Sequence, residues 1–297
     1  MATNKQIKEK IMTLKEEYDQ LRGGRESLLN LIDEAEVPEA VYNSNAIENS
    51  TLTLKETEKI LLEMDVSREV SVREVFEAKN LARVVAHIHD KVKDQDLDEE
   101  ITLLLHKMLI GAINDEIAGR FRTKGEYVRV GTHIAPAPEH IGRMMAAALS
   151  EYRNDEKTYF LDKIAKFHLE FEHIHPFVDG NGRIGRVIIN YQLLRLGFSP
   201  VIILQKEKKT YYKAFWEYKD NKNTKIMEKI LALALAESLH KRITYLRGED
   251  IIPLSEYVSL NKKSAPSVLN AAKRQTIPAF REKGIWKISK NFILESK

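Results

Sequence analysis

The chain has 297 residues, 43% of them hydrophobic, which is enough to bury a sizeable core in one main domain with appendages. It contains no cysteine, so disulfides, thiolate nucleophiles and cysteine-ligated zinc are excluded and any chemistry must come from His, carboxylates, hydroxyls and Arg. The net charge of +3 hides an asymmetry: residues 251–297 carry nine Lys or Arg against three Glu, which leaves residues 1–250 net acidic.

No apolar run approaches the roughly eighteen residues that a membrane span needs, and Met1 to Lys10 is too charged for a signal peptide, so a cytoplasmic protein without membrane contact is expected. Ile7, Ile11, Leu14, Tyr18 and Leu21 recur at spacings of four and three, which predicts an amphipathic helix over 4–22 suited to pairing with a partner, a second copy included, in a homodimer. Gly23-Gly24 ends it. A second helix through Leu28 to Ile32 is expected to stop before Pro38, and a third to start near Glu39 and run into Tyr42 to Asn49. Thr51 to Glu63 reads as a capped helix through Leu54, Ile60 and Leu61, with Thr53 or Ser50 as the cap and Glu56 three residues after Thr53. Helices follow over 74–90 and 101–109; His87 and His89, two apart, cannot share a face as metal ligands would, and His106 reads as an ordinary helix residue.

Between Gly119 and Pro138 the texture changes. Phe121-Arg122, then Tyr127 to Val130, Gly131-Thr132 and His133 to Ala135 read as two short strands around a turn, a hairpin in an otherwise helical chain. Helices over 141–152 and 162–173 lead into His175 to Arg186, His-Pro-Phe-Val-Asp-Gly-Asn-Gly-Arg-Ile-Gly-Arg. Gly180, Asn181 and Gly182 tolerate positive φ, so backbone N–H groups can converge there and hold an anion at the N-terminus of the next helix. Arg183 and Arg186, three apart, reach one polyphosphate from one helix face. Asp179 is a hard oxygen ligand suited to Mg2+ riding on that polyphosphate, and His175 can take a proton near neutral pH. His168, His173 and His175 also raise a metal cluster, but His168 falls on the apolar face, as a core histidine would.

This stretch resembles the signature of the Fic family, His-x-Phe-x-(Asp/Glu)-Gly-Asn-Gly-Arg-x-x-Arg, at every position. The resemblance implies a mainly α fold, a Fic-type helical bundle with a β-hairpin flap, and transfer of AMP from ATP to a protein Ser, Thr or Tyr hydroxyl. In that scheme His175 is the base, Asp179 the Mg2+ ligand, Gly180, Asn181 and Gly182 the phosphate cradle, and Arg183 and Arg186 the partners of the leaving pyrophosphate and the γ-phosphate. Fic proteins resemble one another in a second motif, (Ser/Thr)-x-x-x-Glu-(Gly/Asn), which Ser44 to Asn49 fits; there Glu48 is expected to pair with Arg186 as an inhibitory group on a helix preceding the catalytic core. The resemblance also makes Val130, Gly131, Thr132 and His133 the flap that docks the target protein. Within the Tyr211-Tyr212 pair it assigns Tyr211 to the nucleotide pocket, although Lys219 stands where the family has Asn and so leaves the nucleobase undecided. Other nucleotide or phosphate-containing groups, and the reverse hydrolysis, remain alternatives.

Val201 to Leu204 reads as a buried connection, and Lys225 to Arg247 as the last core helix. Beyond Gly248 to Pro253, two short helices and a wing resemble small excisionase-type helix-turn-helix modules, in which Ser264 to Arg274 would approach DNA and Lys262, Lys263, Lys273 and Arg274 would take phosphates. A basic lid or an oligomer contact fits the same composition, and a DNA-binding regulator is the alternative to an enzyme. The expected division is 1–98 for an N-terminal helical region, 99–248 for the catalytic core and 249–297 for the basic module.

Overall fold

The computed structural model describes residues 5–63, 69–92 and 95–294, and these are mostly helical. They form two compact units, Val37–Ile230 in one and Met1–Glu36 with Leu231–Lys297 in the other. These limits differ from the linear division at 98/99 and 248/249, because compactness follows packing between distant segments whereas composition is read along the chain.

In the first unit the helices are the end of α2 (Glu26–Ile47), α3 (Leu54–Leu62), α4 (Val72–Lys91), α5 (Glu99–Ile110), α6 (Ile141–Asn154), α7 (Phe160–Ile174), α8 (Asn181–Arg195), α9 (Lys208–Asn221) and the start of α10 (Lys225–Leu246). Helix α2 runs through Pro38 without a break, contrary to the expected stop. The fixed φ of proline is already helical, so the ring costs one N–H bond, and continuity of the buried faces on either side outweighs it. Helix α3 begins with a capping box at Thr53, the first of the two candidates, in which Thr53 Oγ1 accepts from Glu56 N and Glu56 Oε2 accepts from Thr53 N at 2.8 Å. Helix α8 is buried from Asn181 to Val187 except at half-buried Gly182, and again at Ile188, Ile189, Tyr191, Gln192 and Leu193. A helix enclosed on all sides is a core element, and around it α4, α5 and α7 contribute Leu81, Leu105, Phe167 and Phe171 to one apolar cluster.

The hairpin is shorter than expected. Strands β1 (Arg129–Val130) and β2 (His133–Ile134) pair antiparallel, with Val130 opposite His133 and Gly131-Thr132 as the turn. Phe121-Arg122 is not a strand, because the Arg122 side chain is enclosed and spent on the carbonyls of other segments, described below.

The second unit holds α1 (Lys5–Arg22), the first part of α2 and most of α10. It also holds β3 (Ile251–Pro253), α11 (Leu254–Leu260), α12 (Ala265–Lys273), β4 (Phe280–Glu282) and β5 (Ile285–Ser289). Asn4, the expected first residue of α1, lies outside the described residues. The wing is a three-stranded sheet, because β3, which lies in the stretch read as the boundary, pairs antiparallel with β5. Leu254, Tyr257, Val268, Ala272, Ile277 and Ile288 form its own small core. Arg242 is buried with Asp33 and Glu36 as ion-pair partners, so a charge that would be costly alone is compensated.

Candidate active site

The loop between α7 and α8 carries the signature, and its shape follows from buried side chains. Phe177 is fully buried and stacked on His106 with ring centroids 3.7 Å apart. Asn181 Oδ1 accepts from Phe177 N and its Nδ2 donates to Phe177 O, both at 2.8 Å. The side chain of Asn181 is therefore consumed in folding the loop, which leaves its backbone N–H as the group it can offer to a phosphate. His106, read as ordinary, accepts from Gly119 N at Nδ1 and so directs Nε2–H to Asp179 O at 3.0 Å. Burial holds its pKa down at about 4, which keeps this tautomer neutral.

His175 closes α7 in the left-handed region at φ 51°, uncommon for a non-glycine residue and held here by Arg122. Arg122 Nε donates to His175 O at 2.8 Å, while Nη2 reaches Pro136 O at 3.0 Å and Nη1 reaches Glu126 O at 2.9 Å. One buried guanidinium thus ties both roots of the hairpin to the histidine. His133 Nε2 meets His173 O at 3.0 Å and seats the hairpin tip against the end of α7. Burial, reinforced by the charge of Arg122, lowers the His175 pKa to about 4, so its imidazole is neutral at pH 7.

Gly180 has φ 84° as the residue before α8, and a Cβ there would press on Leu109 and Ile110 at 3.2 and 3.1 Å. The first-turn N–H groups of Asn181, Gly182 and Arg183 have no partner within the helix, so this end of α8 attracts an anion. Glu48 is the anion present. A Cβ on Gly182 would collide with its Oε1 and lie 2.9 Å from its carboxyl carbon. The same Oε1 accepts from Arg186 Nη2 at 2.9 Å. Ser44, four residues earlier and therefore on the same helix face, accepts from Arg186 Nε at Oγ (2.9 Å) and from Nη2 at its carbonyl (2.8 Å). The spacing of the second motif is thus the geometry of one clamp on Arg186.

Arg183 is buried between Glu77 and Asp179, each at 3.1 Å. Burial alone would raise the Asp179 carboxyl, but Arg183, Arg73 and the Gly180 N–H hold it below its usual range, so it is ionised. Its Oδ1 is committed to Gly180 N and Arg183, and its Oδ2 faces Arg73, an exposed side chain. One carboxylate oxygen can therefore be released to a hard cation by movement of Arg73, with phosphate and water completing the shell.

Beside His175 opens a pocket bordered by Val130, Gly131 and His133 of the hairpin, by Leu169, Glu172 and His173 of α7, and by the α9 aromatics from Tyr211 to Tyr218 with Lys219. Tyr211 is in its wall but only 1% exposed, with Oη bonded to His168 Nε2 at 2.7 Å and the ring under Arg186. It lines the pocket as expected of the pair and supports Arg186 from beneath, while Tyr212 and the 62% exposed Trp216 offer the more accessible aromatic surface. The His168 ring is bonded to Tyr211, and among the described residues no three His, Asp or Glu side chains group as metal ligands would. Sequence reasoning missed Arg122, His106, Glu77 and Glu172. Only an Arg or His in a loop-bordering apolar stretch hints at the first two. Glu172 is buried with Oε1 unpartnered, its Oε2 3.8 Å from His175 Nδ1, and burial together with the charge of Glu48 pushes its pKa up to about 8.

Residues 96–193 match the Fic/DOC family model. The protein adenylyltransferase Fic of Drosophila melanogaster is 33% identical over 176 residues, which cover 58% of this chain and 35% of that protein. The chain thus spans about a third of the length of the curated relatives it matches. A solved Fic domain containing signaling protein from Bacteroides thetaiotaomicron superposes with a TM-score of 0.73 at 23% identity, over 81% of this chain and 98% of that one. A solved Fic family protein from Desulfovibrio desulfuricans gives 0.64 at 22% identity, over 96% of this chain and 97% of that one. The fold, the matched span and the signature from His175 to Arg186 thus agree in their likeness to the Fic/DOC family, and residues 96–193 are the part of this chain that carries it.

Proposed function

We propose that the chain is a protein adenylyltransferase, moving AMP from ATP to a Ser, Thr or Tyr hydroxyl of a target protein laid along the β1–β2 hairpin. The observation that carries this reading is the Glu48 carboxylate resting on the first turn of α8 against Arg186, since a carboxylate held there marks the place that a terminal phosphate would take. The exposed hairpin beside the pocket offers backbone groups for strand addition, which brings a hydroxyl of the added segment to His175. His175, neutral at pH 7, takes the hydroxyl proton as the oxygen bonds to the α-phosphorus and the bond to the β-phosphate oxygen breaks, releasing pyrophosphate. Arg183 and the N–H groups of Gly182 and Arg183 stabilise the charge that builds on the leaving group, and Arg186 holds the γ-phosphate once Glu48 has moved away. Asp179 fits as the protein ligand of Mg2+, which when bound neutralises charge on the α- and β-phosphates.

Glu48 is then an inhibitory group that the nucleotide must displace. The decisive test is intact mass spectrometry after incubation with ATP and Mg2+: an added AMP mass, absent in His175→Ala, is expected. Adducts from UTP or GTP but not from ATP would refute adenylyl transfer, and the exposed Lys219 at the pocket rim is the reason to run them in parallel.

A further inference from the structure

The C-terminal part of the second unit is not used by the transfer reaction, and it sets pairs of cations at the two ends of one short helix. Val268 and Ala272, four apart, fix α12 to the small core, so Ala265, Pro266, Ser267, Asn270 and Lys273 are left exposed. Lys262 and Lys263 stand in the turn that enters α12, and Lys273 and Arg274 stand at its exit. No acidic residue occurs from Tyr257 to Arg281, and Glu282, the next one, is bonded to Tyr245, Lys241 and Lys287. Arg281 is likewise paired with Glu237, so the two basic pairs are the charges that flank α12.

The distances suit a duplex. A nine-residue helix is about 13 Å long, and the major groove of B-DNA is roughly 12 Å wide, so cations at the two ends of α12 meet phosphates on both borders of one groove. The exposed face between them is made of small residues that allow close approach, with Ser267 and Asn270 three apart as the polar groups; Asn is suited to the N6 and N7 edge of adenine. The β4–β5 hairpin, with Lys283-Gly284 at its turn, follows α12 as a wing.

We propose that this module binds duplex DNA, with α12 in the major groove, Lys262, Lys263, Lys273 and Arg274 on phosphates, and Ser267 and Asn270 reading base edges. An acidic protein surface would meet the same cations, but it would give neither the salt law nor the sequence dependence of a groove-bound helix.

The test is fluorescence anisotropy of a labelled mixed-sequence duplex with the full chain, titrated at several salt concentrations in the absence of nucleotide, so that its outcome is independent of adenylyl transfer. Four phosphate contacts give a slope of log K against log salt of about −3.6, or a loss of roughly a hundredfold between about 50 and 200 mM salt. The double variant Lys273→Ala with Arg274→Ala is expected to halve the slope to about −1.8. Asn270→Ala is expected to keep the slope and lower the preference for a selected over a random duplex by about tenfold. Circular dichroism and melting of these surface variants check that they fold as the parent does. Three results would overturn the proposal: absence of binding at low salt, an unchanged slope in the folded double variant, or tighter binding to single strands than to the duplex.

Discussion

Replacing Glu48 by glycine is the perturbation that separates an inhibitory carboxylate from a solvated one. Its Oε1 is 2.9 Å from Arg186 and occupies the space directly over Gly182, so in the proposed reaction the γ-phosphate would compete with this carboxylate for the same guanidinium and the same helix end. About a third of the Glu48 side chain is exposed, which limits the pair to a modest strength; on the proposed reading its displacement would cost ATP about 1–3 kcal/mol, or about 5- to 150-fold in affinity for the productive pose. The variant is therefore expected to incorporate AMP faster by that factor, read with labelled ATP on the purified chain, and to bind ATP more tightly by calorimetry. Folding should hardly suffer, because Arg186 keeps both bonds to Ser44, and a fall in Tm of no more than about 2–4 °C corresponds to about 1 kcal/mol. Glu48→Gln, which keeps the bulk and removes the charge, should give a smaller rise. Incorporation and ATP affinity both within twofold of the parent in Glu48→Gly would refute the competition.

The buried Glu172 makes stability depend on pH in a predictable sense. The folded chain keeps up to about pH 8 a proton that the unfolded chain releases near 4.5, so this group's contribution falls as pH rises between those values and is level above them. Glu172→Gln removes the fall, and its advantage in melting temperature should grow from about pH 5 to about pH 8, amounting to a few kcal/mol; parallel curves for the two proteins would contradict the burial argument. Asn181→Ala strands Phe177 N and O, both inside the protein, and should cost about 2–3 kcal/mol in urea denaturation while reducing AMP incorporation more steeply than Glu77→Gln. Gly185→Ala puts a methyl 2.6 Å from Glu172 Oε1 and 2.8 Å from His168 Cε1, and should lower stability by about 1–3 kcal/mol without any change in surface charge. Equal melting of Gly185→Ala and the parent would show that α7 and α8 have slack there.

How much of this was legible in sequence follows from the range of the interactions involved. The capping box at Thr53 and Glu56, the glycine ends of helices and the apolar spacing of α4, α6 and α7 are local, and they were read at the right places. The stop at Pro38 was misread because helix continuity there is decided by buried faces on both sides and not by the proline. Strand β3 escaped because a three-residue strand has no periodicity of its own and exists through β5, more than thirty residues away. Arg122 and His106 looked unremarkable because their roles lie in bonds to carbonyls of segments 53 and 73 positions distant.

The signature determined which side chains the site contains, since a glycine-rich turn opening a helix, a histidine before it and two arginines within it are contiguous and constrained by backbone chemistry alone. What only the tertiary structure decided is how those groups are employed. Asn181 and Tyr211 turn inward because Phe177 and His168 need their hydrogen bonds, and Glu48 comes over Gly182 because α2 ends against α8. Burial then keeps His175 neutral and Glu172 protonated at pH 7. The physical reason is that hydrogen-bond commitment and desolvation are properties of a neighbourhood assembled from distant parts of the chain, and a sequence specifies its members without stating their distances.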